Sequence, residues 1–405
     1  MLTSKNKKLL HYGFGIKNVI LKSFHFLGNS IIFKCHISEK LKRCSKCHSK
    51  NVRIKQTKTR QLRMVPMGSK SCILEIRVHK FHCRCCDSST WVDLPFAVGK
   101  LPMTQSFVTY ILSLVKITTI KSISKLLRLQ WKTVKNIHKD YLKKHYAEVS
   151  YKDIAYLSMD EFSIRKGHTY MTIFLDLTTG RIIHAIQGRS VEEIKPFIET
   201  LSKKALNLKA IAMDMSRSYI SAVKQCLPNV VYVFDRFHVM KLMNEALDQL
   251  RKAEHAKYEK QGCPIIKGDR FLLLRNLSTL TSDEQGRLEK LFEINSTLSK
   301  AHLMKEQLRE FWNQGTLEEG ARFLVHWIHD AKMSGIKVME RMGNTLLSHY
   351  EGLLNYYKHR LSNGKIEGTN NKIKVLKRVA YGYRDMGYFE LLLLDLHEKS
   401  LQLVA

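Results

Sequence analysis

The chain has 405 residues, of which 44% are apolar, enough for about two or three domains with cores of their own. Lys and Arg outnumber Asp and Glu by 68 to 36, a formal charge of +32, which points to a polyanionic partner. No run approaches the ~18 apolar residues of a membrane span, so a membrane-embedded protein is excluded as an expectation.

The charge is uneven. Residues 1–150 carry 30 basic and 6 acidic side chains, against 38 and 30 in residues 151–405. A polyanion-binding region followed by a more ordinary globular domain is expected. The N-terminus starts positive, but Lys17 and Lys22 interrupt any signal-peptide core, which predicts an intracellular protein. In a reducing compartment the nine cysteines read as metal ligands or buried thiols before disulfides.

Cys44-Ser-Lys-Cys47 is one C-x2-C knuckle, and Phe81-His-Cys83-Arg-Cys85-Cys86 contains a second, Cys83 to Cys86. Two knuckles can gather four thiolates around one tetrahedral Zn²⁺. The segments RIKQTKTRQLRMV and ILEIRVHKFHC alternate like the strands of a zinc ribbon. Cys85 could replace Cys83 or Cys86 as a ligand. Cys35, Cys72, Cys226 and Cys263 read as free thiols, and His48 and His82 as bystanders.

Pro95 and Pro102 flank a short linker. A helix over Ser122–Leu127, a turn over Arg128–Trp131 and a helix over Lys132–Lys144 follow. The second would turn Val134, Ile137, Tyr141 and Leu142 inward and Lys132, Lys135, Asn136 and Lys139 outward. That is the layout of a helix-turn-helix whose second helix enters the major groove.

From Ile154 the period changes. AYLSMDEFSI, TYMTIFLDLT and GRIIHAIQGR read as three strands, with turns at Lys166-Gly167 and Thr179-Gly180. A helix over Val191–Ala205, the strand LKAIAMD, a helix from Ser216 and the strand NVVYVFD complete a ribonuclease H-like sheet. Residues from Phe237 to about Tyr357 have helical spacing and read as an all-α insertion.

In that strand order Asp160 and Asp214 stand on neighbouring strands ~5 Å apart and can share a cation. Residues Leu361 to Asp385 hold six Lys or Arg, yet Glu367 sits among them. A carboxylate is tolerated beside a polyanion when a divalent cation lies between the two. A helix capped near Ser362 or Asn363 would place Glu367, Asn370, Asn371, Lys374 and Arg378 on one face. Glu367 is therefore the expected third ligand. Asp176 and Asp235 also end apolar strands, and Asp235 and His238 suit a supporting role near the scissile phosphate.

The chain resembles the ISL-three family of bacterial insertion-sequence transposases, of the DDE group. The resemblance runs from about Leu10 to Leu393. It rests on CSKC with FHCRCC, SMDEFS, IAMDMSRSY, VVYVFDRFHVMKLMNEAL and SNGKIEGTNNKIKVLKRVAYGYRD. It implies Asp160, Asp214 and Glu367 as the catalytic triad and Cys44, Cys47, Cys83 and Cys86 as zinc ligands. It also implies two Mg²⁺ (or Mn²⁺) ions roughly 4 Å apart on the carboxylates. Strand cleavage at the element's ends would free a 3′-hydroxyl that is then joined to target DNA, without a covalent protein–DNA intermediate.

The expected architecture is multidomain α+β. A zinc-binding region spans 1–95, a helix-turn-helix 96–150, and a ribonuclease H-like mixed α/β domain 151–405 with the insertion at about 240–357. Asp235, His238, Asn371 and Lys374 would support catalysis. Lys132, Lys135, Asn136, Lys139, Lys374, Arg378 and Arg384 would contact DNA, and Tyr381 and Tyr383 would stack or meet phosphate. Double-stranded DNA, as terminal inverted repeats and target, is the expected partner of a cytoplasmic, nucleoid-associated homodimer or higher oligomer. A DNA-binding regulator without catalysis, and a ribonuclease H-like nuclease without strand transfer, are the competing readings.

Overall fold

The computed structural model describes residues 9–165, 169–260, 269–361 and 364–397. The expected turn at Lys166-Gly167, the thiol of Cys263 and the cap at Ser362 or Asn363 lie outside these residues. The chain divides after His145 into two compact units.

The first unit opens with a hairpin of β1 (Val19–Leu27) and β2 (Ser30–Ile37), which the sequence reading did not anticipate. Two long strands follow, β3 (Val52–Met67) and β4 (Lys70–Cys83), then the short β5 (Ser89–Trp91). The sheet order is β1-β2-β4-β3 with β5 paired to β4, and β2 runs parallel to β4. Leu62, Met64, Leu74, Ile76 and Phe33 fill its core.

Three helices complete this unit: α1 (Gln105–Val115), α2 (Ile120–Leu127) and α3 (Trp131–His145). The Thr104 and Thr119 hydroxyls cap the first two. Arg128, in the left-handed region with φ 51°, ends α2 and turns the chain. On α3, Val134, Ile137 and Leu142 are buried as expected. The fourth inward position is His138, because Tyr141 is exposed.

The second unit is built on a five-stranded sheet ordered β10-β9-β6-β7-β8. Strands β6 (Tyr156–Arg165), β7 (Thr169–Asp176) and β8 (Ile182–Gln187) form an antiparallel meander. Strands β9 (Ala210–Met213) and β10 (Val231–Phe234) add to β6 in parallel. The crossovers are α4 (Val191–Lys204), opened by a Ser190–Glu193 capping box, and α5 (Arg217–Cys226).

Alternation along the strands sorts their side chains into two layers. Leu157, Met159, Phe174 and Ile211 pack with α4 and α5. Ile164, Ile173, Leu175 and Ala212 pack beneath α13 (Gly364–Val379) and α14 (Met386–Leu394), through Ile366, Ile373, Phe389 and Leu393. Among the described residues between β10 and α13, regular structure is helical. It comprises α6 (Arg236–Lys260), α7 (Arg270–Leu274), α8 (Ser282–Ile294), α9 (Ser296–Glu310), α10 (Leu317–Lys332), α11 (Lys337–Ser348) and α12 (Tyr350–Leu354). No described helix is long and apolar enough to cross a membrane.

This helical excursion leaves β10 and comes back to it. The Asn355 amide donates to the Tyr232 carbonyl at 3.0 Å, and Glu351 accepts from the Tyr232 hydroxyl at 2.6 Å. Gly352 lies against Phe234: a β-carbon there would stand 2.2 Å from the ring. Gly352→Ala must push Phe234, and with it the strand end before Asp235. A loss of about 1–3 kcal/mol in denaturant unfolding is expected; an unchanged midpoint would show that the helix can retreat.

Candidate active site and metal centre

The two cysteine knuckles repeat one backbone pattern. The N–H of Cys44 donates to the Ser49 carbonyl, and that of Cys83 to the Ser88 carbonyl, at 2.9 and 2.8 Å. The N–H groups of Lys46 and Cys85 donate to the Sγ atoms of Cys44 and Cys83, each at 3.4 Å. His48 and Asp87, each four residues after the first cysteine of its knuckle, take positive φ of 59° and 49°. The turns thereby aim Cys44, Cys47, Cys83 and Cys86 at one point, with all four sulfurs within 4.8 Å of one another. The Cys44–Cys86 and Cys47–Cys83 separations are 3.7 and 3.5 Å. Tetrahedral Zn–S bonds of ~2.3 Å require about 3.8 Å between sulfurs, so the cluster fits zinc.

Cys85 stands apart, with its Sγ 3.1 Å from the Ser49 hydroxyl. The four-sulfur cluster is made without it. Four thiolates cannot share such a space without a cation, and the thiols divide accordingly. The Cys47 N–H and the Ser88 hydroxyl hold Cys44 down to about 5. At Cys47 the Ser49 N–H pulls downward, but the sulfurs of Cys83 and Cys86 prevail and push it up to about 12. A bound Zn²⁺ would ionise all four.

In the second unit, register places two acids side by side. Ser158 pairs with Ala212 across β6 and β9, so Asp160 and Asp214 occupy the next equivalent positions. Both have the parity of the sheet face that α13 covers. Asp160 is buried, and its Oδ1 accepts the Glu161 N–H at 2.8 Å. Its Oδ2 accepts from Asn370 Nδ2 of α13 at 2.7 Å. Asp214 is half-buried and accepts the Ser216 N–H at 3.0 Å, which starts α5.

Lysines fix α13 over this point. Lys365 Nζ donates to the carbonyls of Leu177 and Thr178 at 2.6 and 2.9 Å, and Lys377 Nζ donates to the Ser163 carbonyl. Ile366, Thr369 and Ile373 face the sheet, which leaves Glu367 exposed one step round the helix. Glu367, Asn370, Asn371 and Lys374 line a cavity of about 790 Å³ together with Asp160, Asp235 and His238. Lys374 Nζ lies 3.4 Å from Asn371 Oδ1.

Asp235 begins α6: Oδ1 accepts the Phe237 N–H at 3.1 Å and Oδ2 lies 2.9 Å from His238 Nδ1. The other ring nitrogen, Nε2, is 3.9 Å from Asp160. The Asp235 hydrogen bond, helped by Asp160 and Asp214, raises the His238 pKa despite its burial. When protonated, the ring answers part of the charge of the acids beside it. Burial raises the pKa of Asp160, against the Asn370 hydrogen bond, and burial likewise raises that of Asp214.

Among the described residues, the cysteine cluster is the one group of three or more ligands gathered within 4.8 Å; the three acids are not drawn that tightly together. Asn370 Oδ1, at the cavity, is buried without a hydrogen-bond partner. Hard carboxylate oxygens with an orphaned amide oxygen beside them suit Mg²⁺ or Mn²⁺.

The residues 157–393 match the family pattern of the ISL3 DDE transposases, described as transposase, and residues 40–86 match the zinc finger of transposases IS204/IS1001/IS1096/IS1165. The chain belongs to the ISL3 transposase family. It is 30% identical to the transposase for insertion sequence element IS1001 of Bordetella parapertussis, over 85% of this chain and 86% of the relative. The transposase for insertion sequence element IS1557 of Mycobacterium tuberculosis is 25% identical, over 85% and 83%. A Drosophila P element transposase strand transfer complex superposes with a TM-score of 0.39 at 10% identity, over 73% and 92%, too low to carry an argument.

For this ISL3 transposase the sequence reading missed three features of the site. Asn370 holds Asp160; sequence spacing put it on the right face without revealing that contact. Glu161 pairs with Arg189 at 3.1 Å, and Lys377 fixes the far end of α13. Asp176 has a structural role, its carboxylate accepting from Thr178 and Thr179 in the turn. Tyr383 stacks on Phe389 at 4.6 Å and is half-buried, so it packs the core, whereas Tyr381 is fully exposed.

The raised carboxyls carry a signed consequence. The folded protein takes up protons at Asp160 and Asp214 before the unfolded chain does. The stability linked to them is complete at acid pH and is lost as pH rises through the raised values. Asp160→Asn is expected to raise the thermal midpoint of metal-free protein, by a margin over wild type that widens with pH. A margin that narrows would reverse the assignment.

Proposed function

We propose that this transposase binds the terminal inverted repeats of its insertion sequence and cuts and joins DNA at the cavity beside Asp160 of β6. The Asn370–Asp160 hydrogen bond carries the reading. It brings the helix bearing Glu367 to a carboxylate 210 residues away in sequence, at a cavity open to a strand of DNA. In this reading the sheet of the second unit is ribonuclease H-like. Residues 151–405 form the catalytic domain, and the helices of about 240–357 are its insertion.

Asp160, Asp214 and Glu367 would hold Mg²⁺ or Mn²⁺, which when bound supplies an activated water and charge neutralisation at the scissile phosphate. The protein's own groups do the rest. Asn370 orients Asp160. Asp235 fixes the His238 ring at the cavity, where the ring when protonated would face the phosphate. Asn371 and Lys374 clamp the flanking strand, and exposed Arg378 and Arg384 extend that basic surface.

End binding falls to residues 1–150. The zinc ribbon of 1–95 holds its shape through Zn²⁺ on Cys44, Cys47, Cys83 and Cys86. The helices of 96–150 act as a helix-turn-helix, with α3 in the major groove. Its Lys132 and Asn136 are exposed, Lys135 and Lys139 half-buried, and Lys135 Nζ lies 5.5 Å over the Trp131 ring. The protein works in the cytoplasm at the nucleoid, as a homodimer or larger assembly on DNA.

Asp160→Ala, Asp214→Ala and Glu367→Ala are each expected to abolish Mg²⁺-dependent cleavage of an end-bearing duplex while gel-shift binding persists. Asn370→Ala, which removes a partner of a ligand, is expected to cost roughly 10–100-fold. Full cleavage by any alanine variant of the three acids would refute the triad. Cys44→Ser with Cys47→Ser is expected to release zinc and weaken end binding. Affinity is expected to fall on the order of 10³-fold or more between ~50 and ~200 mM salt, and a flat response would contradict phosphate-dominated binding.

A further inference from the structure

A second cavity, of about 540 Å³, opens beside the first, within the ~300–1,000 Å³ range of small-ligand sites. The two share Phe237, Met240 and Arg309 in their walls, so they adjoin. Its chemistry is unlike a packing defect. Asn244 Oδ1 and Arg309 Nε are buried without hydrogen-bond partners, although Glu306 stands 3.8 Å from the guanidinium. Its acids are Glu245, exposed at the wall, and Asp248, which is paired with Arg251, Lys252 and Arg270. Lys241, Lys252, Arg270 and Arg309 in the lining outnumber Glu245 and Asp248, and that basic excess favours an anion's approach.

At the shared rim stands Phe237. It is 59% exposed, its ring centroid is 5.9 Å from that of His238, and its N–H is held by Asp235. An apolar ring kept in water next to the reacting acids has a π-face to offer. Bases stack on such faces whatever their identity, and an orphaned amide can meet a base edge with both a donor and an acceptor.

We propose that this second cavity receives one unstacked nucleobase next to the scissile phosphate, with Phe237 as stacking platform and Asn244 as the group reading the base edge. Arg309, on the wall common to both cavities, meets the phosphate between the extruded nucleotide and the one being cut. Unpairing that nucleotide lets the single strand bend from one cavity into the other. The proposal rests on the assignment of the first cavity as the site of strand cleavage.

The test uses the full chain and duplexes carrying the inverted repeat, each with 2-aminopurine at one position flanking the cut, bound without Mg²⁺. One position is expected to brighten with wild type and to stay dark with Phe237→Ala, while Phe237→Trp brightens again. Phe237→Ala is expected to slow cleavage about ten- to hundredfold, the worth of one stacked base. An abasic nucleotide at that position should restore most of the rate, because no unstacking remains to be done. Asn244→Ala is expected to keep the brightening and lose the preference among bases. If no position brightens although the complex forms and cuts on adding Mg²⁺, the base pocket is wrong and the cleavage site stands. If the protein binds the ends but never cuts, the cleavage reading falls and the pocket with it.

Discussion

A carboxylate buried in the middle of a central strand must be answered by something, and here the first answer is an amide. The 2.7 Å hydrogen bond from Asn370 to Asp160 joins the last helical layer to the middle strand of the sheet. Lys365 and Lys377 hold the same helix at its two ends through backbone carbonyls. Every other property of the site follows from where that helix lies. Its apolar stripe must cover Ile173 and Ala212, so Glu367 is left exposed at the cavity rather than beneath the helix.

The residual charge explains the remaining company. Asp160 and Asp214 are held protonated more strongly than ordinary carboxyls, and His238, charged more readily than ordinary histidines, stands between Asp160 and Asp235. Without cations the protein contains a partial substitute for them. The cysteine cluster shows the same logic in another chemistry. Two turns of the same pattern converge four sulfurs; hydrogen-bond donors hold Cys44 low, and the neighbouring sulfurs push Cys47 up.

Much of this was legible beforehand because it is periodic. Apolar alternation with glycine turns revealed β6 to β8, and the 54-residue offset between Asp160 and Asp214 reappears as the register of β6 on β9. Helical spacing put Glu367 and Asn371 near one another. What stayed hidden depends on contacts without a local signal. The β1–β2 hairpin has Lys, Ser and His among its apolar residues and pairs with β4 across forty residues. On α3 His138 is covered and Tyr141 exposed, although both lie near the same apolar stripe as Val134, Ile137 and Leu142. The choice among Cys83, Cys85 and Cys86 depends on backbone dihedrals at Asp87, and spacing does not encode them.

The helices between α6 and α12 depart from β10 at Asp235 and return to it at Gly352 and Asn355, so their endpoints meet on the same strand. A loop tethered at one spot can grow, shrink or change its bundle without displacing what lies beneath. The acids are positioned by the sheet and by the lysines of α13, not by the hundred residues in between. Length added or removed among these helices would leave the strand end at Phe234 and the start of α6 where they are.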